Sequence, residues 1–272
     1  MRGFLRVLRR RHPLLLSLAA SIGLAACGEG TGPGAHSRVG LGFQVARTSM
    51  ASSAMIASAF GDGTSFTGAP PTVTPTATGL RITRDADVLL ITKAQLVVRH
   101  VKLKNAVAVC TDDDDDCPSI RVGPFLVDVP INGTDGARIA VPVPAGSYSS
   151  VRLSLHKVTS SDSADTAFRL ANPTFTNLSV RLEGTFNGVA FVFTNDVDAT
   201  LDVPLTAPLV IGTGGGDVTV SIDFSTWFLR PAGGLYGPAL ANAPGAIRAA
   251  VQNNIRAAFR AFRDDDRDGR DD

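Results

Sequence analysis

From Leu80 to Phe224 the chain is a succession of short runs in which apolar side chains recur at every second residue, a pattern that a β-sheet buries and a helix does not. Val151, Leu153 and Leu155 share one face of their run, and Leu178, Val180, Leu182, Gly184 and Phe186 keep the same period. Asn187-Gly188 then joins Phe186 to Val189. Both residues tolerate the positive φ of a two-residue turn, so the pair predicts a hairpin. The strand candidates are 80–83, 87–91, 95–103, 121–129, 138–143, 147–157, 178–186, 189–194, 197–203 and 218–224. An earlier one at 39–45 alternates Val39, Leu41, Phe43 and Val45. Val97, Val101 and Leu103 stand out of phase with Leu96 and Val98, which predicts a β-bulge near Arg99. Short strands and frequent turns without intervening helices imply an antiparallel β-sandwich.

Two stretches read differently. Residues 46–79 are mostly Ala, Ser, Thr, Gly and Pro, and Pro70, Pro71 and Pro75 are expected to prevent regular structure, leaving a long loop. Between about Pro244 and Arg263, Ile247, Val251, Ile255, Ala258 and Phe262 keep helical spacing. Arg248, Arg256, Arg260 and Arg263 keep largely to the other side, so one C-terminal amphipathic helix is expected. It docks on the sandwich or meets a lipid surface or partner. The expected organisation is an export signal at 1–26, a tether with one strand at 27–79, the sandwich at 80–230, and a helix with an Asp-rich tail at 231–272.

The amino terminus carries Arg2, Arg6, Arg9, Arg10 and Arg11, then an apolar run from Leu14 to Leu24, which together read as a secretory signal. The apolar run is about half the roughly 20 residues that span a bilayer. Leu24-Ala25-Ala26-Cys27 resembles a bacterial lipobox. The likeness implies diacylglycerol on the Cys27 thiol, cleavage before it and acylation of the new amino group. A plain signal peptide with a chance cysteine, or a membrane anchor, is the alternative. Gly28 is not the aspartate that retains some lipoproteins at the inner membrane, so the likeness points to the outer membrane of a bacterial envelope.

A second resemblance covers about half of the chain, from Leu80 to Trp227. Ile91-Thr92-Lys93-Ala94 leading into Val97-Val98, Phe125-Leu126-Val127-Asp128-Val129-Pro130, and Val143-Pro144-Ala145-Gly146-Ser147-Tyr148 with Val151-Arg152-Leu153 carry it. These are packing and turn motifs. They resemble a family of bacterial lipoprotein domains with a transthyretin-like sandwich, which implies a fold and a location but no activity.

Charge narrows the partners. Residues 1–26 hold five arginines and no acid, so the remainder has 21 basic against 25 acidic side chains, a net of −4. A nucleic-acid partner would demand a basic face, and none is expected here. Aspartate outnumbers glutamate 23 to 2, and aspartate belongs to turns, caps and calcium loops, which suits a loop-rich β protein. With Cys27 assigned to lipid, Cys110 and Cys117 remain as an even pair in an oxidising compartment, expected to form a disulfide or else to stay free thiols. Asp112 to Asp116 lie between them, a like-charged loop that a divalent cation or simple hydration would relieve.

At the C-terminus, Asp264, Asp266 and Asp268 precede Gly269 in D-x-D-x-D-G, and Asp272 adds an acid at the ninth position. Calcium takes hard oxygen ligands at alternate residues, a glycine for the sharp turn and then a backbone carbonyl, here that of Arg270. The segment resembles the loops of EF-hands, dockerins and thrombospondin type 3 repeats, and the likeness makes calcium the expected cofactor. It departs from the EF-hand by stopping short of the bidentate twelfth position and by placing Asp271 where an apolar residue is usual. A solvated acidic tail paired to its own arginines is the alternative.

No catalytic constellation stands out. His100 and His156 are the histidines of the strand-rich region, and neither nucleophile-elbow, zinc-helix nor phosphate-loop spacing occurs. Gly212 to Asp217 reads as a hairpin turn. Trp227 reads as sandwich core, although an exposed tryptophan, with Tyr148 and Tyr236, would suit a carbohydrate-binding or carrier module. The sequence therefore points to a non-enzymatic envelope protein with a membrane anchor and an unspecified protein or glycan partner.

Overall fold

The computed structural model describes residues 36–46, 69–106, 119–120, 124–132, 138–161 and 163–271. Among these residues, thirteen strands form a mainly β architecture of the sandwich class. They are β1 (His36–Val45), β2 (Thr72–Thr76), β3 (Gly79–Arg84), β4 (Asp87–Asn105), β5 (Ser119–Ile120), β6 (Phe125–Asp128), β7 (Arg138–Pro144), β8 (Gly146–Leu155), β9 (Val180–Phe186), β10 (Val189–Asn195), β11 (Ala199–Ile211), β12 (Gly216–Ile222) and β13 (Phe259–Arg263). The helices are α1 (Ser163–Ala171), α2 (Phe224–Trp227) and α3 (Ala246–Ala257).

One path of neighbours runs β10-β9-β4-β8-β11-β13-β12-β1-β7, with β3 carrying β2 onto β4 and with β5 and β6 also on β4. Most pairs are antiparallel, as the short turns require. Two are parallel, β1 with β12 and β11 with β13, so the expected all-antiparallel pattern does not hold throughout. The cause is the return of the chain end. β11 and β12 meet only at the Gly212–Gly215 bridge, and β13 enters between them. Inward residues of β1, β4, β8, β9, β11 and β12 form one core with Phe224, Trp227, Phe228, Val251, Ile255 and Phe259. The C-terminal segment is thus part of the same core.

β4 changes partners along its 19 residues, from β9 at Leu89–Leu96 to β8 at Val98–Asn105. The changeover carries the register shift between Val98 and Val101, the bulge expected near Arg99. Val97 is out of phase because both faces are covered there. It packs with Val158, Phe168 and Phe175 in a second cluster under α1, a helix that the sequence reading left out. Asn187 and Gly188 take φ of +50° and +82°, the turn that joins β9 to β10.

Three expectations need correction. Pro75 lies within β2, inside the stretch expected to be a loop; β2 is an edge strand, where a proline needs no ladder donor on its outer side. The C-terminal helix ends at Ala257, and Phe259–Arg263 is a strand. Phe259 and Ala261 are buried, Arg260 and Phe262 half-buried, and that alternation filled the open slot beside β12 better than another helical turn would have. Finally, β11 runs on to Ile211, well past the expected 203, through Pro204 and Pro208.

Candidate metal centre at the C-terminal loop

β13 delivers Asp264 to the outer side of the β1–β12 pair, where β1 alternates Gly40, Gly42 and Gln44 with its core residues. The glycines make room: a Cβ at Gly40 would stand 2.1 Å from Asp217 Oδ1. Asp264 is only 1% exposed. Its Oδ2 accepts from Thr219 Oγ1 at 2.5 Å and from Arg138 at 3.3 Å, and its Oδ1 accepts from the Gly269 N–H at 3.1 Å. Arg138 also donates to Asp217 at 2.9 Å, and Arg267 donates to the other oxygen of Asp217 at 3.0 and 3.1 Å.

The chain then closes into a compact loop. Asp266 Oδ1 accepts from the Asp268 N–H, and Asp268 Oδ1 accepts from the Arg270 N–H. Arg267 and Gly269 have φ of +63° and +78°, which the tight turn requires. A Cβ at Gly269 would lie 2.3 Å from Gln44 Oε1, and Gln44 Nε2 donates to the Gly269 carbonyl. Thr206 donates to Asp271 at 2.7 Å. The tail is therefore docked on the sandwich, which the solvated-tail alternative did not anticipate.

Asp264, Asp266 and Asp268 each offer a carboxylate oxygen within 4.8 Å of the others. Asp264 is buried, Asp266 and Asp268 are exposed, and Asp266 makes no ion pair among the described residues. Asp265 turns away to Arg263 at 2.5 Å and to the Asp217 N–H. A hard, oxygen-seeking divalent cation suits this donor set, and the Arg138 guanidinium beside Asp264 reduces the charge left for it. Arg270, whose carbonyl the spacing assigns to the cation, follows the glycine and donates its N–H to Asp268, while Asp272 lies outside the described residues. So do Cys27, Cys110, Cys117 and Asp112 to Asp116.

A second carboxylate cluster was not expected from spacing. Asp165, on α1 and fully buried, accepts from His156 Nε2 at 2.9 Å, from the Thr159 N–H at 2.7 Å and from Arg99 at 3.4 Å. Because Nε2 donates to Asp165, its 3.2 Å approach to Arg99 is a shared-acceptor contact and not a second bond. His156 thus converges on an aspartate, and a cleft lies away from it among the described residues. It holds about 230 Å³ and is lined by Thr78, Lys93, Asp128 and Asn132 among others. His100 is half-buried on β4.

Trp227 is fully buried, its ring 4.6 Å from that of Phe224. Tyr148 is 1% exposed, donates to the Pro144 carbonyl at 2.8 Å, and burial raises its pKa above the ordinary phenol value. Tyr236 is half-buried beneath Arg230. Neither Trp227 nor Tyr148 reaches solvent as a sugar platform would.

Comparison with protein-family models, with curated proteins and with solved structures returned no match for this chain.

Proposed function

We propose that the protein is an envelope lipoprotein, held to the outer membrane of a bacterium through Cys27, whose β-sandwich has a non-enzymatic structural, adhesive or binding role. The observation that carries this is Leu24-Ala25-Ala26-Cys27 behind a basic and apolar leader. The position of β1 supports it. Only residues 28–35 separate Cys27 from His36, and eight extended residues reach about 28 Å. His36 pairs with Pro144, and Ser37 donates to the Gly212 carbonyl, so the described sheet begins nine residues after Cys27.

Replacing Cys27 with serine removes the thiol that accepts diacylglycerol. Labelled fatty acid should disappear from the variant, and the protein should leave the membrane fraction or stay uncleaved. Equal labelling of both forms overturns the anchor.

Calcium belongs to this reading as a stabiliser. Asp264, Asp266 and Asp268, the Arg270 carbonyl and Asp272 are its ligands, with an affinity of about 10⁻⁴–10⁻³ M, the range of extracellular modules. The Cys110–Cys117 disulfide is the remaining element. Protein digested between the two cysteines should stay linked until reduced; two free thiols in exported protein reject it.

A further inference from the structure

Strand β10 is an edge of the sheet path, and its outer side is managed over half its length only. In a two-residue hairpin the residues flanking the turn bond to each other, so Val189, Phe191, Phe193 and Asn195 face β9 while Ala190, Val192 and Thr194 turn their backbone groups outward. The far half is closed by side chains. Asn242 accepts from the Thr194 N–H at 2.8 Å and donates to the Val192 carbonyl at 2.8 Å, as a neighbouring strand would. Arg248 takes the Thr194 carbonyl. The near half keeps three outward groups with no protein partner among the described residues: the N–H and C=O of Ala190 and the N–H of Val192.

The other long edges carry devices that block pairing. β2 holds Pro75, and β7 holds Pro142, Pro144 and Arg138. β10 reads Val-Ala-Phe-Val-Phe-Thr-Asn, with no charge, proline or glycine. Around its open half stand exposed apolar side chains: Val189 at 70%, Val192 at 43% and, beside Phe186, Leu240 at 63%.

We propose that the open half of β10 pairs antiparallel with the same stretch of a second copy of this chain, about a two-fold axis at Ala190. The geometry is self-complementary. The two Ala190 residues exchange N–H···O bonds, and each Val192 N–H meets the Gly188 carbonyl of the other copy. Neither copy brings a charge on β10 to this axis, so no like-charge repulsion opposes it. The Asn187–Gly188 turn on one side and Asn242 with Arg248 on the other limit the register to this one.

The test uses the full chain in its native membranes. Residues that exchange both bonds across an antiparallel pair lie about 5.5 Å apart at Cα, which a disulfide spans. Ala190→Cys should give a reducible dimer several-fold above both the parent chain and Thr74→Cys, an exposed control on the proline-bearing edge. Adding Val192→Lys should abolish it by putting a charged side chain on each copy's open edge, two residues from the axis, the device with which edge strands resist pairing, while Val192→Thr, neutral and suited to a strand, should preserve it. The Val192 side chain stands outside the core, so both forms should melt with the parent. Ala190→Cys dimer no greater than the Thr74→Cys background overturns the proposal. So does a cross-link to a different protein, or a dimer indifferent to Val192→Lys.

Discussion

Asp165 and Asp264 are both buried carboxylates, and each is held by an arginine, a hydroxyl and a backbone N–H, yet their settings are opposite. Asp165 accepts from His156, Arg99 and Thr159. Asp264 shares Arg138 with Asp217 and has Asp266 and Asp268 within 4.8 Å on the solvent side. The first carboxylate pairs with Arg99 and ties α1 to β4 and to the segment just after β8. The second leaves negative charge over. Burial and an arginine alone therefore do not make Asp264 a candidate; the acids beside it on the solvent side do.

The largest expected effect breaks the balanced cluster. Asp165→Ala leaves Arg99, His156 and the Thr159 N–H facing an empty space, and removing one partner of a buried ion pair costs about 3–5 kcal/mol. Asp165→Asn, which keeps the shape, should cost less. Urea denaturation measures both, and calcium should leave the difference unchanged. A loss below 1 kcal/mol would mean that α1 is held by Phe168 and its cluster instead.

Next comes the surplus charge. If calcium binds the folded loop only, a hundredfold excess over its dissociation constant should raise stability by about 2.7 kcal/mol. Asp266→Asn with Asp268→Asn should remove that gain, and these exposed changes should leave calcium-free stability within about 0.5 kcal/mol. Persistence of the full shift in the double variant moves attention to Asp112–Asp116. No shift in either form leaves the loop a hydrogen-bonded closure of the chain.

A smaller effect tests how Asp264 is held without any cation. Thr219→Val removes the 2.5 Å hydrogen bond from a buried hydroxyl to a carboxylate, and bonds to charged groups contribute about 1.5–3 kcal/mol. The loss should shrink in saturating calcium, because the cation takes over part of the compensation. Calorimetry with and without calcium separates the two terms.

The contrast between these two carboxylates was unevenly legible in the sequence. The D-x-D-x-D-G spacing exposed the loop because its residues are neighbours, and a local turn needs only local residues. Arg138, Thr219 and Gln44 reach Asp264 or its loop through strand register, which no short motif records. Asp165 and His156 are nine residues apart across a loop, and α1 is too short and too polar to announce itself. The strands themselves were readable where one face is buried, as at Val151–Leu155. They were misread where an edge tolerated proline, as in β2, or where Phe259 and Ala261 fit either period. Tertiary context decided those two: an edge without ladder demands, and an empty slot between β11 and β12.

Asp202 supplies the smallest effect and a reference for an exposed pair. It lies opposite Arg152 on the outer face of β11 and β8, with both nitrogen–oxygen distances at 2.7 Å and Lys104 at 3.4 Å. The Arg152 hydrogen bonds hold its carboxyl below the ordinary value near 3.8, against the opposing pull of partial burial. A carboxyl lowered in the folded state stabilises fully above its unfolded pKa and loses that contribution as pH falls through the lower folded value. The side chain is 47% exposed, so solvent screening limits the pair to about 0.2–1 kcal/mol. Arg152→Ala should therefore be destabilising by that amount at pH 7 in low salt, by less in 1 M salt, and by almost nothing at pH 2. Denaturant titrations of both proteins at the two pH values give the comparison. A deficit that persists undiminished at pH 2 would assign the loss to the packed Arg152 stem and not to its charge.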